Sequence, residues 1–230
     1  MSALIVYIDG YNLFHGLRAK YKDDRYQWLD ITALAASLRR HEKLVSVKYY
    51  TAPLQGSSDA VQRQQTYLSA LRAVSGETLT VYEARYQSKT VTCRCGRQWR
   101  TYEEKETDVH LAVDLVADVA TKAATSAVII SGDSDLCPAV RRAREFSEEV
   151  RIVAAFPPKR ISSELQQLLP GSLVIGRGRI KDAQLPDTVH DPATGAVFHR
   201  PSKWRPNGNR SQIPHRRGTA DSNCAHPASR

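Results

Sequence analysis

The stretch V-I-I-S-G-D-S-D-L at residues 128–136 decides how the chain is read, because a charge-free, β-branched run ends abruptly in a glycine and two aspartates. Residues 127–130 suit a strand covered on both faces in a parallel sheet. Gly132 lets the backbone turn, and Pro138 fits the first turn of a helix, where its missing N–H costs nothing. Asp133 and Asp135 then fall in the turn between strand and helix, the place where open α/β sheets bind ligands. The competing reading is that Asp135 or Ser134 only caps the helix. A second turn of the same kind shifts the balance. A-L-I-V-Y-I at residues 3–8 reads as another buried strand, and it runs into D-G-Y-N at residues 9–12, with Leu13, Phe14 and Leu17 at helical spacing beyond.

Between these turns, Asp30 is placed to cap a helix carrying Ile31, Leu34, Ala35 and Leu38, and residues 44–50 read as a strand. Ser57 or Ser58 opens a helix through Leu68, Leu71 and Val74 that Gly76 ends, and residues 78–86 form a further strand. Residues 104–122 read as a helix. Projected at 100° per residue, Val109, Leu111, Ala112, Val113, Leu115, Val116, Val119 and Ala120 fill one apolar arc. Asp108 falls inside that arc, whereas Asp114 and Asp118 fall on its flank or outside, as solvated acids do. After residue 136 come a basic helix with Val140 and Phe146, a strand at 150–154, a short helix capped by Ser162 or Ser163, and a strand at 173–175. Strands alternating with helices argue for a mostly parallel sheet with helices on both faces. The expected domain spans residues 1–178. Periodicity fades from about residue 180, and Pro, Gly, Asn, Arg and Ser dominate from 201, so residues 179–230 are expected to be a basic, disordered tail.

A chain of 230 residues is long enough to bury a sizeable core. Its net charge of +9 is unevenly spread. From residue 176 onward there are ten Lys and Arg against four Asp and Glu, while the remaining 23 basic and 20 acidic residues nearly balance. A basic end favours polyanions, nucleic acid first. No apolar run reaches the ~20 residues of a membrane span, and Asp9 interrupts the first apolar run where a signal peptide would continue, so a cytoplasmic protein with no membrane partner is expected. Four irregularly spaced cysteines (Cys93, Cys95, Cys137, Cys224) fit reduced thiols better than a disulfide framework.

If the two aspartate-tipped strands are neighbours, Asp9, Asp108, Asp133 and Asp135 converge at one edge of the sheet. Such a cluster repels itself and either protonates or recruits a cation. Mg²⁺ or Mn²⁺ suits oxygen-only ligands and shares its shell with substrate phosphate and water. Asn12 is placed to orient water or a carboxylate, and Lys105, one turn before Asp108, to reach a phosphate. At these residues the chain resembles a family. Y-I-D-G-Y-N-L at the start, E-K-E-T-D-V before the long helix and I-I-S-G-D-S-D-L after it together resemble the NYN domain, in the LabA-like branch of the PIN-like nucleases, over roughly residues 3–176. The resemblance implies a PIN-like three-layer α/β/α sandwich with a mostly parallel central sheet, and metal-dependent cleavage of RNA. It puts the family's acidic positions on Asp9, Asp108, Asp133 and Asp135 and its early asparagine on Asn12, with Asp114 at an often acidic position. Two residues depart from the pattern: Glu106 stands where a glycine is usual, and Leu136 where an aromatic is usual.

The expected activity is therefore a metal-dependent endoribonuclease acting on single-stranded or loop RNA, with no small-molecule cofactor and with self-association left open. A haloacid-dehalogenase-type phosphatase needs a second aspartate two residues after the first, and Asp9 is followed by Gly10 and Tyr11. A non-catalytic RNA-binding or regulatory module is the stronger rival, since a shared fold does not guarantee chemistry. Arg94, Arg97, Trp99 and Arg100 form a candidate RNA contact, because arginines grip phosphates and an aromatic stacks on an unpaired base. Beside them, Cys93 and Cys95 read either as half of a zinc site or as two free thiols on a hairpin; the C-x-C spacing with no partner pair favours the hairpin. Cys137 reads as a small buried residue, His110 as exposed. In the tail, Arg200, Lys203, Arg205, Arg210, Arg216 and Arg217 are spaced to track a phosphate backbone.

Overall fold

Strand β1 (Ala3–Asp9) shows why the chain builds two cores. Its alternation sends Leu4, Val6 and Ile8 to one apolar cluster and Ile5 and Tyr7 to another, so both faces of the strand are buried. The computed structural model describes residues 2–22, 24–54, 57–93 and 95–206, with the side chains of 85–89 and 100–105 left aside. β1 pairs in parallel with β2 (Lys43–Thr51) on one side and β6 (Ser126–Ile130) on the other. With β3 (Leu79–Glu83), β7 (Arg151–Phe156) and β8 (Leu173–Val174) they form a six-stranded parallel sheet in the order β3-β2-β1-β6-β7-β8.

The order reverses between β1 and β6. The chain first winds outward through β2 and β3, then returns beside β1 and winds outward the other way. Connections leaving such a reversal point diverge to opposite faces and open a crevice beyond the carboxyl ends of the two strands. Helices α1 (Gly10–Tyr21), α2 (Ile31–Leu38) and α3 (Ser58–Ser75) cover one face through Leu13, Leu17, Leu34, Leu68 and Leu71. Helices α4 (Thr107–Ala120), α5 (Cys137–Phe146) and α6 (Ser163–Leu168) cover the other through Leu111, Leu115, Val140 and Leu165. The result is the expected α/β/α sandwich, and no helix among the described residues is long and apolar enough to cross a membrane.

Two segments depart from the sequence expectation. The run at 78–86 is not one strand: β3 stops at Glu83, and an antiparallel hairpin follows, β4 (Arg85–Thr92) with β5 (Gln98–Lys105), leading directly into α4. The second departure is larger. Order does not end near residue 178, and the expected boundary is corrected accordingly. Helix α7 (Arg177–Asp182) and the hairpin of β9 (Thr188–His190) and β10 (Val197–His199) pack against the first core. Ile180, Leu185, Val189 and Trp204 are buried there, with the Trp204 ring 6.3 Å from Trp28 and 5.8 Å from Tyr67. Trp28 Nε1 donates to the carbonyl of Pro186 at 2.7 Å, and buried Arg200 pairs with Asp187 at 3.1 Å and donates to the carbonyl of Leu185. Arg200 and Trp204 therefore anchor the fold. Lys203 and Arg205 are exposed, with Lys203 Nζ 3.5 Å from Asp24, and Arg210, Arg216 and Arg217 lie outside the described residues.

Candidate metal centre

Asp9 ends β1 and caps α1, so its position follows from the strand-to-helix turn. It is 5% exposed and accepts three hydrogen bonds: Asn12 N–H to Oδ1 at 2.9 Å, Asn12 Nδ2 to Oδ2 at 2.6 Å and Ser131 Oγ to Oδ2 at 2.9 Å. Burial raises its carboxyl above the ordinary 3.8 and the nearby Asp133 charge adds to this, while the hydrogen bonds from Asn12 and Ser131 pull the other way. Asn12 is buried, and its Oδ1 receives the N–H of Gly132, which ties the turn after β1 to the turn after β6. Gly132 cannot be replaced without moving the chain, since an added Cβ would lie 2.2 Å from the carbonyl oxygen of Arg160.

Asp133 stands at the end of the second turn. Its N–H donates to Ser131 Oγ at 3.1 Å, and its Oδ1 caps the short 3₁₀ turn by accepting the N–H of Asp135 at 3.0 Å. Asp108 comes from the first turn of α4, where the helix dipole favours a carboxylate. Ligand oxygens of Asp9, Asp108 and Asp133 lie within 4.8 Å of one another. Three of the four expected acids thus converge. Asp135 is not in that group of three; like Asp108 it is exposed, and its backbone N–H is bonded to Asp133.

Residues 3–173 match the model of the NYN domain. The chain belongs to the NYN domain family. A curated relative from Pseudomonas putida (strain DSM 28022 / S16), named 6-hydroxy-3-succinoylpyridine 3-monooxygenase HspA, is 28% identical over 187 residues, which cover 66% of this chain and 58% of that protein. The chain therefore spans under two thirds of that relative's length. No solved structure matches it.

Within this NYN domain the β4–β5 hairpin carries the other candidate residues. Arg97 and Trp99 are exposed on it, Arg94 lies outside the described residues, and the side chains of Arg100 and Lys105 do too. Cys93 and Cys95 flank its turn, with Cys93 N–H bonded to the carbonyl of Arg97 and Gly96 N–H to the carbonyl of Cys93. Neither cysteine is in a disulfide, and among the described residues they join no group of three metal-ligating side chains. Cys137 is buried and its thiol is raised by that burial, as a small core residue. His110 is exposed, with its ring 6.4 Å from Tyr82.

Glu106, at the position where the NYN resemblance has glycine, sits at φ 85° before α4 and gives that helix no side-chain cap. A side chain in this left-handed conformation costs about 1–2 kcal/mol. Glu106→Gly is accordingly expected to stabilise the fold by about 1 kcal/mol, after glycine's own entropy loss, and a urea midpoint measures it.

The helical projection misplaced two acids. Val109 and Val113 are 63% and 60% exposed, and the face of α4 that meets the sheet is Leu111, Leu115 and Val119 flanked by Asp114 and Asp118. Lys48 Nζ lies 2.7 Å from Asp118 and 3.6 Å from Asp114, Tyr7 donates its phenol to Asp118 and Tyr50 donates its own to Asp114, each at 2.7 Å. Burial is the main cause that holds both phenols protonated, with the acids adding to it. The signal was in β2, where Lys48 and Tyr50 alternate onto one face of the strand. This network fixes α4 to the sheet and so fixes Asp108. Lys48→Met leaves two half-buried carboxylates without their cation, and a loss of about 2 kcal/mol is expected by chemical denaturation.

Proposed function

We propose that this NYN domain hydrolyses phosphodiester bonds in single-stranded or loop RNA, with Mg²⁺ or Mn²⁺ held by Asp9, Asp108 and Asp133. The observation that carries the reading is the convergence of three carboxylates within 4.8 Å at the crevice where the strand order reverses. The donor set fits the ion: oxygen ligands alone suit Mg²⁺ and Mn²⁺, and burial together with the nearby Asp133 charge raises the carboxyl of Asp9. When bound, a divalent ion polarises a phosphoryl oxygen and acidifies water.

The chain's own residues do the positioning. Asn12 and Ser131 hold Asp9 by its two oxygens, Asp135 N–H holds Asp133, and the Lys48 network holds the helix that carries Asp108. Exposed Trp99 and Arg97 on the adjoining hairpin offer a stacking face and a cation for the strand. The test is purified protein on end-labelled RNA and single-stranded DNA with Mg²⁺ or Mn²⁺, beside Asp133→Asn. Cleavage of RNA by the parent alone supports the reading. Binding of RNA with equal residual cleavage by both proteins replaces it with a non-catalytic RNA-binding module, and preference for DNA replaces the substrate.

A further inference from the structure

One residue along from Asp9, on the α1–α3 face of the sheet, lies a cavity of about 150 Å³. Its walls are aromatic and aliphatic: Leu13 and Tyr11 of α1, Tyr67 and Leu68 of α3, and Trp204 from the C-terminal segment. A void of ~150 Å³ in an apolar core holds a single benzene ring, which sets the size of the occupant.

The wall is not purely apolar. Gln27 lines the cavity at 5% exposure, and its Nε2 is buried with no hydrogen-bond partner. Its polar neighbours have theirs. Gln64 accepts from Leu54 N–H at 2.6 Å and donates to the carbonyl of Ala52 at 2.8 Å, and the Tyr67 phenol donates to the carbonyl of Leu29 at 2.8 Å. An unmet buried donor is destabilising, so an acceptor supplied from outside is the group this wall lacks. At the lip stands Tyr11, 55% exposed, with its ring centroid 4.1 Å from that of His15. Tyr11 follows Asp9 by two residues and lines the cavity, so the turn that carries a carboxylate also carries an exposed aromatic at the cavity.

We propose that this cavity is a subsite for one unpaired pyrimidine base of the bound strand, which passes Tyr11, stacks among Tyr67 and Trp204, and accepts a hydrogen bond from Gln27 Nε2 through a ring carbonyl or imino nitrogen. The inference rests on the RNA reading above and deepens it into a base preference. A single ring matches the volume better than a purine's fused pair does. Trp204 lies beyond residue 173, where the family match ends, so part of the cavity wall comes from outside the matched region.

The experiment measures binding of uridine, adenosine, short oligouridylate and short oligoadenylate to the full chain and to Gln27→Met, with a thermal melt of each protein. The parent is expected to favour the uridine-containing ligand of each pair about tenfold, and Gln27→Met to lose about tenfold in uridine affinity while melting at or above the parent, since the unmet donor is gone. Equal binding of the two oligonucleotides by the parent, or a preference unchanged in Gln27→Met, overturns the subsite. Uridine binding with no preference between the oligonucleotides also overturns it, leaving a site for free small rings. The parent reading fails separately: a Gln27-dependent uridine preference in a protein that cuts neither strand retires hydrolysis and keeps the subsite, whereas cleavage of both strands at equal KM retires the subsite and keeps hydrolysis.

Discussion

Asp133→Asn is expected to lower RNA cleavage by about 10³-fold, because removing one of three carboxylates that hold the ion forfeits several kcal/mol of transition-state charge stabilisation. The same variant is expected to melt at or above the parent when both are free of metal, since it removes one of the like charges crowded at the crevice. Added Mn²⁺ then separates them: at about 100 times its dissociation constant an ion that binds only the folded state adds about 2.7 kcal/mol to the parent, and it adds little to a variant that binds it poorly. The two readouts together distinguish a ligand from a structural acid, whose loss would lower the metal-free melt instead. Asp9→Asn does not serve this purpose. Asp9 accepts from two donors of Asn12 and one of Ser131, and an amide there turns an NH₂ toward groups that are already donating. The sign with pH follows from the raised Asp9 carboxyl. The folded chain holds that proton more tightly than the unfolded one, so the contribution is present below about 3.8 and is lost as pH rises through the higher folded value.

A chain ending at residue 180 is expected to be unable to hold the native fold, whereas one ending at 206 melts like the parent. The first truncation removes Ala183, Leu185, Val189 and Trp204 from the core and uncovers Trp28 and Tyr67, which they bury. At about 1.5–3 kcal/mol for each large side chain, the loss approaches the whole ~5–15 kcal/mol that stabilises a typical domain. It also strips the partner from the Trp28 indole N–H. Circular dichroism melts of both truncations decide the matter, and a cooperative melt of the shorter chain near the parent's temperature would show that the C-terminal hairpin adds no stability. The longer truncation, which drops Arg210, Arg216 and Arg217, tests phosphate tracking on its own: a shallower dependence of log affinity on log salt assigns those residues to RNA capture.

What was legible in the sequence was whatever repeats with a period or breaks one sharply. The buried strands β1 and β6 are unbroken apolar runs, each followed by an aspartate and glycine, and from them came the parallel sheet, Asp9 and Asp133. Asp108 was legible because a charge inside an apolar arc is conspicuous. Asp133 and Asp135 are two residues apart, and sequence spacing does not tell which of the two meets Asp9 and Asp108. The C-terminal hairpin was missed because three-residue strands, a few scattered apolar side chains and one tryptophan carry no periodicity, and proline and glycine that shape tight turns look compositionally like disorder. Asp114 and Asp118 were assigned to solvent because the projection gave Val109 and Val113 the core; the partners that make those acids worth burying, Lys48, Tyr7 and Tyr50, come from distant strands.

Asp9 and Asp133 each serve the backbone as well as the crevice. Asp9 closes the first turn of α1 through the amide of Asn12, and Asp133 closes the turn that leads into α5 through the amide of Asp135. Those helices lie on opposite faces of the sheet. A cation held by these carboxylates draws charge from the groups that accept these two amides, so ion binding is expected to weaken both hydrogen bonds and shift the two N–H resonances. The Asn12 and Asp135 amides are therefore built-in reporters, readable by amide resonance without substrate, label or turnover, and placed so that each outer layer of the sandwich carries one.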